Sequence, residues 1–123
     1  MNSFFLVFVN FSLVAKDVTA TLEQMGLGDP LIAASEQDAL SKLAALEQGM
    51  QVRLAVIQAT PAVFAASALR NTLEMLGTKV VLLNDGIPRD NAGSPYPVLS
   101  LPFFTEDLEA LVAQISDPPK ATA

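Results

Sequence analysis

The segment Phe4–Val9 constrains the fold most strongly, because it holds six consecutive apolar residues without a polar break. A strand with apolar side chains on both faces must be covered on both faces, which is typical of a parallel sheet between helices. Four other segments have strand character: Pro30–Ala34, Val52–Ile57, Val80–Leu83 and Pro97–Leu101. The sequence therefore predicts a sheet of five strands.

Helical segments separate the first three strands. The first predicted helix begins at Ser12 and ends at Gly26, and glycine suits a helix end. Its inward residues recur at roughly helical spacing: Val14, Val18, Leu22 and Met25. Gly26 and Gly28 follow a helix rather than a strand, so they indicate a helix stop and not a phosphate-binding loop. The second helix begins at Ser35, with Asp38 completing an acidic form of the capping box, and ends at Gly49.

Two further helices are predicted in the second half of the chain. The third has Thr60 as its N-cap and Pro61 in its first turn, and is expected to continue to Leu76 before Gly77. The last begins at Thr105 and has an apolar face made of Leu108, Leu111, Val112 and Ile115.

The resulting order, β-α-β-α-β-α-β-loop-β-α, predicts an α/β domain. Its parallel sheet should be covered on both faces and joined by right-handed crossovers. We expect one domain over residues 1–115 and a flexible C-terminal tail over 116–123, "SDPPKATA". A chain of 123 residues is long enough to bury a substantial core.

The composition excludes several classes of function. The net charge is −6, and only seven basic residues are scattered between Lys16 and Lys120, so nucleic acid is not an expected partner. The chain has no cysteine and no histidine, which excludes disulfides, thiol nucleophiles, Ser-His-Asp triads and zinc sites of the usual kind.

The first residues do not predict membrane targeting. The apolar segment Phe4–Val9 lacks a preceding basic region and is too short for a signal peptide or a membrane span. We therefore expect a soluble, cytoplasmic protein with no membrane partner.

Three amide side chains follow predicted strands: Asn10, Gln58 and Asn84. The carboxyl ends of parallel strands meet at one edge of the sheet, where α/β proteins usually bind ligands. The amides could form a neutral ligand pocket, or they could satisfy backbone groups of the neighbouring loops, and the second interpretation is favoured. Asp85 is the only carboxylate near this edge, so paired acid–base catalysis has little support.

The segments "VFVNFS", "LAVIQATP", "VVLLND" and "VLSLPFF" carry a family resemblance. In their order and spacing, and in the Leu101-Pro102-Phe103 turn, the chain resembles a response-regulator receiver domain of the chemotaxis-regulator type over about residues 4 to 115. The resemblance implies a flavodoxin-like, doubly wound fold with strand order 2-1-3-4-5. It also implies a signalling role.

The resemblance further implies a phosphorylation site, because receiver domains place an acidic pair, a phospho-accepting aspartate, a hydroxyl residue and a lysine at this edge. The matching positions differ here: Asn10 and Phe11 replace the acidic pair, Gln58 (or Ile57, if counted back from Pro61) the aspartate, Asn84 the hydroxyl residue, and Leu101 the lysine. The set has lost its charges together, which suggests a neutralised pocket.

Phosphoryl transfer to a carboxylate needs an anionic nucleophile and a divalent cation. An amide is neutral and a poorer ligand for Mg²⁺, which prefers anionic oxygens. We therefore expect no catalytic residue, no metal, no cofactor and no enzymatic activity. A lysine at Leu101 would then be an unpaired, partly buried charge, so leucine is consistent with the other changes.

The segment "GIPRDNAGSPYP" replaces the fourth helix of the family with an irregular loop, because its glycines and prolines prevent a regular helix. This should leave one sheet face with less cover near Leu83, Val98 and Ser100, unless Ile87 and Tyr96 fold back over it.

The start of the third helix is apolar almost all round, so Phe64 or Val63 is expected to be partly exposed. The predicted interaction surface thus comprises Phe64, Ile87, Tyr96 and Val98. The sequence favours a phosphorylation-independent module that binds a protein partner, a second copy of itself included. The alternatives are a small-molecule sensor or enzyme that uses the amide pocket, and a structural subunit of a larger assembly.

Overall fold

The computed structural model describes residues 3–10, 12–46, 50–84, 96–100 and 105–116. The strands are β1 (Ser3–Phe8), β2 (Asp29–Ile32), β3 (Gln51–Gln58), β4 (Lys79–Asn84) and β5 (Val98–Ser100). The helices are α1 (Ser12–Gln24), α2 (Glu36–Ala44), α3 (Pro61–Ala65), α4 (Ala68–Leu76) and α5 (Thr105–Ser116).

The five strands form one parallel sheet in the order β2-β1-β3-β4-β5. This confirms the flavodoxin-like fold class and the strand order implied by the resemblance. Between β4 and β5 the described residues contain no helix. The segment 85–95, where the irregular loop is predicted, lies outside the described residues, as does the predicted tail beyond residue 116.

The sheet separates two hydrophobic clusters because successive strand residues point to opposite faces. In β1, Phe5 and Val7 join the cluster beneath α1 and α5, whereas Leu6 joins the cluster beneath α2, α3 and α4. The buried residues of β3 and β4 divide in the same way. Each fully buried large apolar side chain stabilises the fold by about 1.5–3 kcal/mol relative to exposure, which explains the continuous apolar runs.

The predicted N-caps of two helices are confirmed. The Ser35 hydroxyl accepts a hydrogen bond from the Asp38 N–H at 3.0 Å, and an Asp38 oxygen accepts one from the Ala34 N–H at 2.9 Å. At α3 the Thr60 hydroxyl accepts from the Val63 N–H at 3.2 Å, with Pro61 in the first turn.

The prediction of one continuous helix from Pro61 to Leu76 is wrong, because the segment is divided into α3 and α4. Ser67 caps α4 by accepting from the Arg70 N–H at 3.2 Å and donates to the Phe64 carbonyl at 2.6 Å. The Arg70 Nε also donates to the Ala65 carbonyl at 2.9 Å. These bonds satisfy backbone N–H and carbonyl groups where α3 ends and α4 begins. The sequence signal for the break was Ser67, because serine within an apolar helical segment favours a helix cap.

None of the helices in the described part of the chain combines the length and the apolar character needed to cross a bilayer.

Candidate functional site

The carboxyl ends of β1, β3 and β4 bring the three amide residues to one edge of the sheet. Phe8 lies beside Ile57, and Gln58 lies beside Leu83, so Asn10, Gln58 and Asn84 follow or end neighbouring strands. We call these three residues the amide edge. Phe11 and Leu101, predicted at the same edge, lie outside the described residues.

Gln58, at the end of β3, forms a hydrogen bond with the backbone just after β1. Its side-chain oxygen accepts a hydrogen bond from the Asn10 N–H at 2.8 Å. Ile57 is instead buried in the cluster beneath α2, α3 and α4. Of the two positions that the sequence allowed for the family's aspartate, Gln58 is therefore the one with a polar group at the edge.

Asn84, at the end of β4, is buried. Among the described residues, no buried side-chain nitrogen or oxygen lacks a hydrogen-bond partner. The Gln58 oxygen satisfies the Asn10 N–H. The geometry at Gln58 is thus the one expected if this amide satisfies a neighbouring backbone group.

The amide edge does not fit a Mg²⁺ site. Its described donors are uncharged, and the Gln58 oxygen already accepts the Asn10 N–H. Mg²⁺ requires near-octahedral oxygen ligands and is usually held by at least one carboxylate. Within the described ranges, no three acidic, histidine or cysteine side chains are grouped closely enough to hold a metal ion.

Replacing Gln58 with leucine tests the hydrogen bond to Asn10. We expect Gln58→Leu to lower the free energy of unfolding by about 1 kcal/mol, because the Asn10 N–H loses its acceptor. The Asn10 amide should also exchange faster with solvent. Gln51→Leu, at the exposed opposite end of β3, is the matched control and should change neither quantity measurably. Equal effects of the two substitutions would contradict a specific role for Gln58.

A second polar cluster lies on the α2, α3 and α4 face of the sheet, around Tyr96. The rings of Tyr96 and Phe64 meet edge to face, with centroids 5.1 Å apart and an interplanar angle of 82°. Phe64 is 2% exposed, so its expected place on an interaction surface is wrong. Val63 is the exposed residue at the start of α3, at 64%. Phe64 turns inward because it fills the space between α3, the sheet and Tyr96.

Tyr96 packs back against the hydrophobic cluster beneath α2, α3 and α4, which is one of the two possibilities that the sequence allowed. Its hydroxyl donates to the Glu74 Oε2 at 2.7 Å, and Arg70 donates to the same oxygen at 3.1 Å. The hydrogen bond from Tyr96, with the charge of Arg70 beside it, lowers the pKa of Glu74 below its usual 4.5. Desolvation, followed by the hydrogen bond to Glu74, raises the pKa of Tyr96 above 10.0.

The Tyr96–Glu74 hydrogen bond predicts a pH-dependent effect of Tyr96→Phe, which retains the ring contact. A carboxyl group whose pKa is lower in the folded than in the unfolded state stabilises the fold at pH values above its unfolded-state pKa. This stabilisation is lost as the pH falls through its folded-state pKa. Tyr96→Phe should therefore be less stable than the wild type at neutral pH, and the difference should narrow as pH falls below 4.5. Urea unfolding of both proteins at neutral and acidic pH measures this difference in stability. A difference that does not vary with pH would contradict this role for Glu74.

The sheet face near β5 is arranged differently from the expectation. Leu83 is buried beneath α1 and α5, whereas Val98 packs partly buried on the opposite face, so the two residues do not share one uncovered surface. A cleft of about 350 Å³ lies between β5 and α5, lined by Val98, Leu99 and Leu111 among others. Ile87 lies outside the described residues.

A groove lies between α1 and β2, and the sequence did not predict it. Its volume is about 590 Å³, and Asn10 lines one end, but Gln58 and Asn84 do not line it. The signal was the exposed side of α1, where Lys16, Ala20 and Glu23 recur at helical spacing opposite the core-facing residues.

Structural comparison relates this arrangement to known proteins. A receiver-domain protein (CheY-like) from Methanospirillum hungatei matches with a TM-score of 0.67 and 15% identity, covering 100% of this chain and 99% of that one. A response regulator from Thermotoga maritima matches with a TM-score of 0.65 and 18% identity, covering 91% and 95%. The chain has the receiver-domain fold.

Chemotaxis protein CheY4 from Vibrio cholerae is a further similar structure, with a TM-score of 0.65, 15% identity and coverage of 94% of this chain and 98% of that one. No protein-family model matches the sequence, and no curated protein matches it significantly. At these identities the similarity shows the receiver fold and not the chemistry of the amide edge.

Proposed function

We propose that the protein is a non-catalytic, phosphorylation-independent signalling module with the receiver fold, and that it acts by contact with a protein partner. The observation that carries this proposal is the Gln58–Asn10 hydrogen bond at 2.8 Å. A neutral amide bonded to the backbone occupies the end of the third strand, where the resemblance would place a phospho-accepting aspartate.

The chemistry of the amide edge supports the loss of phosphorylation. An amide oxygen is a weak nucleophile, and accepting the Asn10 N–H reduces its availability further. Phosphoryl transfer also needs a cation to neutralise developing charge, and the described donors do not fit one. The shared neutrality of Asn10, Gln58 and Asn84 is consistent with a structural role in joining strand ends.

Exposed features support an action through contact. Val63 is exposed at the start of α3, and the cleft between β5 and α5 includes Val98. The interaction surface we propose therefore consists of Val63, Tyr96 and Val98, with Ile87 retained from the sequence as a prediction. The small-molecule alternative at the amide edge has less support, because the Gln58 oxygen is already engaged by the protein.

Addition of Mg²⁺ with beryllofluoride, a phosphoryl analogue, tests the proposal by NMR. The backbone amide of Asn10 is the reporter, because its acceptor is Gln58. We expect the Asn10 signal to respond no more to the combination than to Mg²⁺ alone or fluoride alone. Acetyl phosphate should likewise add no phosphoryl group to the intact mass.

Two results would contradict phosphorylation independence. A saturable shift centred on Asn10 and Gln58 that requires both Mg²⁺ and beryllofluoride would show that the pocket still binds the phosphoryl analogue. A phosphoryl group located on this chain after acetyl phosphate treatment would likewise reject phosphorylation independence.

A further inference from the structure

The groove beside α1 is the feature of the molecule that the proposed function leaves unused. It lies between α1 and β2, which is an edge strand of the sheet. Lys16, Thr19, Ala20 and Glu23 form its wall on α1, and Ile32 lies on the β2 side. Most of the other lining side chains are small or apolar; the exceptions are Asn10 and Asp38, and Asp38 is already paired with Lys42.

Ile32, which lines this groove, is a large apolar side chain and is 51% exposed. Leu13, in the first turn of α1 but not among the lining residues, is 77% exposed. The small side chains of Thr19 and Ala20 between them allow another backbone to approach closely. An uncovered apolar groove of this kind is typical of a surface that another protein element covers.

The shape of the groove favours a helix over an added strand. β2 has only four residues and contains Pro30, which has no N–H to donate to a neighbouring strand. Short, proline-containing edge strands resist strand addition. A helix can instead lie along α1, and packed helix axes approach more closely where the contacting side chains are small.

The α1 wall of the groove carries one positive and one negative side chain, Lys16 and Glu23. Lys16 and Glu23 are seven residues apart, which is two helical turns or about 10.5 Å along the axis. Both are exposed, and neither takes part in the ion pairs found among the described residues, which are Asp38–Lys42 and Arg70–Glu74. The midpoint between Lys16 and Glu23 falls at Thr19 and Ala20.

An antiparallel copy of α1, centred on that midpoint, would place Glu23 of the second copy opposite Lys16. The two-fold symmetry would repeat the pair in reverse, so one arrangement matches both charges twice. It also places the small residues at the point of closest approach. A second copy of this chain therefore fits the two charges on the α1 wall of the groove.

We propose that the protein forms a symmetric homodimer in which α1 of each copy lies antiparallel in the groove between α1 and β2 of the other, with two equivalent Lys16–Glu23 ion pairs. This interface is separate from the surface around Tyr96 and Val98. It depends on neither the amide edge nor the absence of phosphorylation, so its failure would leave the proposed function standing.

Charge reversal followed by charge exchange tests the interface. Lys16→Glu and Glu23→Lys should each weaken self-association about tenfold, because each replaces two attractive contacts with two repulsive ones. The double variant restores opposite charges with the pair reversed and should associate within about threefold of the wild type. Sedimentation velocity over a range of concentrations gives the dissociation constants. Lys79→Glu, with the same change in net charge at an exposed site on β4, should leave them unchanged.

A cross-linking experiment tests the geometry. The sequence contains no cysteine, so Ala20→Cys introduces a single thiol beside the proposed two-fold axis. Under mild oxidation it should form a covalent dimer, because a disulfide needs the two Cα atoms within about 7 Å. Met75→Cys, also at an exposed position but on α4, should cross-link only at the background rate.

The proposal is overturned if the wild type stays monomeric at millimolar concentration, or if single and double charge variants associate equally. Cross-linking through Met75→Cys as efficient as through Ala20→Cys would also reject this interface. Recovery of the dimer in the double variant, together with selective cross-linking at position 20, supports it.

Discussion

Phe64→Ala is expected to lower the free energy of unfolding by about 3–5 kcal/mol, as found for phenylalanine deletions in well-packed cores. Phe64 is 2% exposed and packs in the cluster beneath α2, α3 and α4. Its removal leaves a cavity and deprives Tyr96 of its edge-to-face partner at 5.1 Å. Domains of this kind have total stabilities of about 5–15 kcal/mol, so the loss is a large part of the whole.

The neighbouring residue supplies the control. Val63→Ala removes a side chain that is 64% exposed and should change the stability by no more than about 0.5 kcal/mol. Urea unfolding of both variants, with the slope of the transition unchanged, measures the difference. Equal destabilisation by the two substitutions would show that Phe64 is not the buried member of the pair.

Gly28→Ala is expected to destabilise the fold by about 3 kcal/mol or more, through backbone strain and overlap together. Gly28 has φ +112°, a conformation that residues with a Cβ rarely adopt. A Cβ at this position would also overlap the carbonyl oxygen of Ser3 at the start of β1. Relief would require a shift of Ser3, which pairs with Gln51, or of the segment that carries Gly28.

Gly26→Ala separates these two causes. Gly26 also has a positive φ, +79°, but a Cβ there would meet no atom within 4 Å. We expect a loss of about 1 kcal/mol, from backbone strain alone. Thermal and urea unfolding compare the two variants. A Gly28→Ala protein no less stable than Gly26→Ala would contradict the close approach to Ser3.

The sequence predicted the position of Gln58 in its strand but not its hydrogen-bond partner. The segment "LAVIQATP" predicts Gln58 at the end of the third strand because its apolar run ends there, and the structure places Gln58 at the edge of the sheet. Its acceptance of the Asn10 N–H, 48 residues away in the chain, could not be read from any local pattern.

The sequence by itself determined the α/β architecture, since short apolar runs rich in β-branched and aromatic residues favour strands covered on both faces, and helical segments alternate with them. It also determined the helix ends at Ser35, Thr60 and Gly77, because capping depends on neighbours in the chain. Only the tertiary structure decided that Phe64 rather than Val63 is buried and that Gly28 approaches Ser3. These outcomes depend on contacts between segments distant in sequence, whose packing energies exceed the local preferences of a few tenths of a kcal/mol to about 1 kcal/mol.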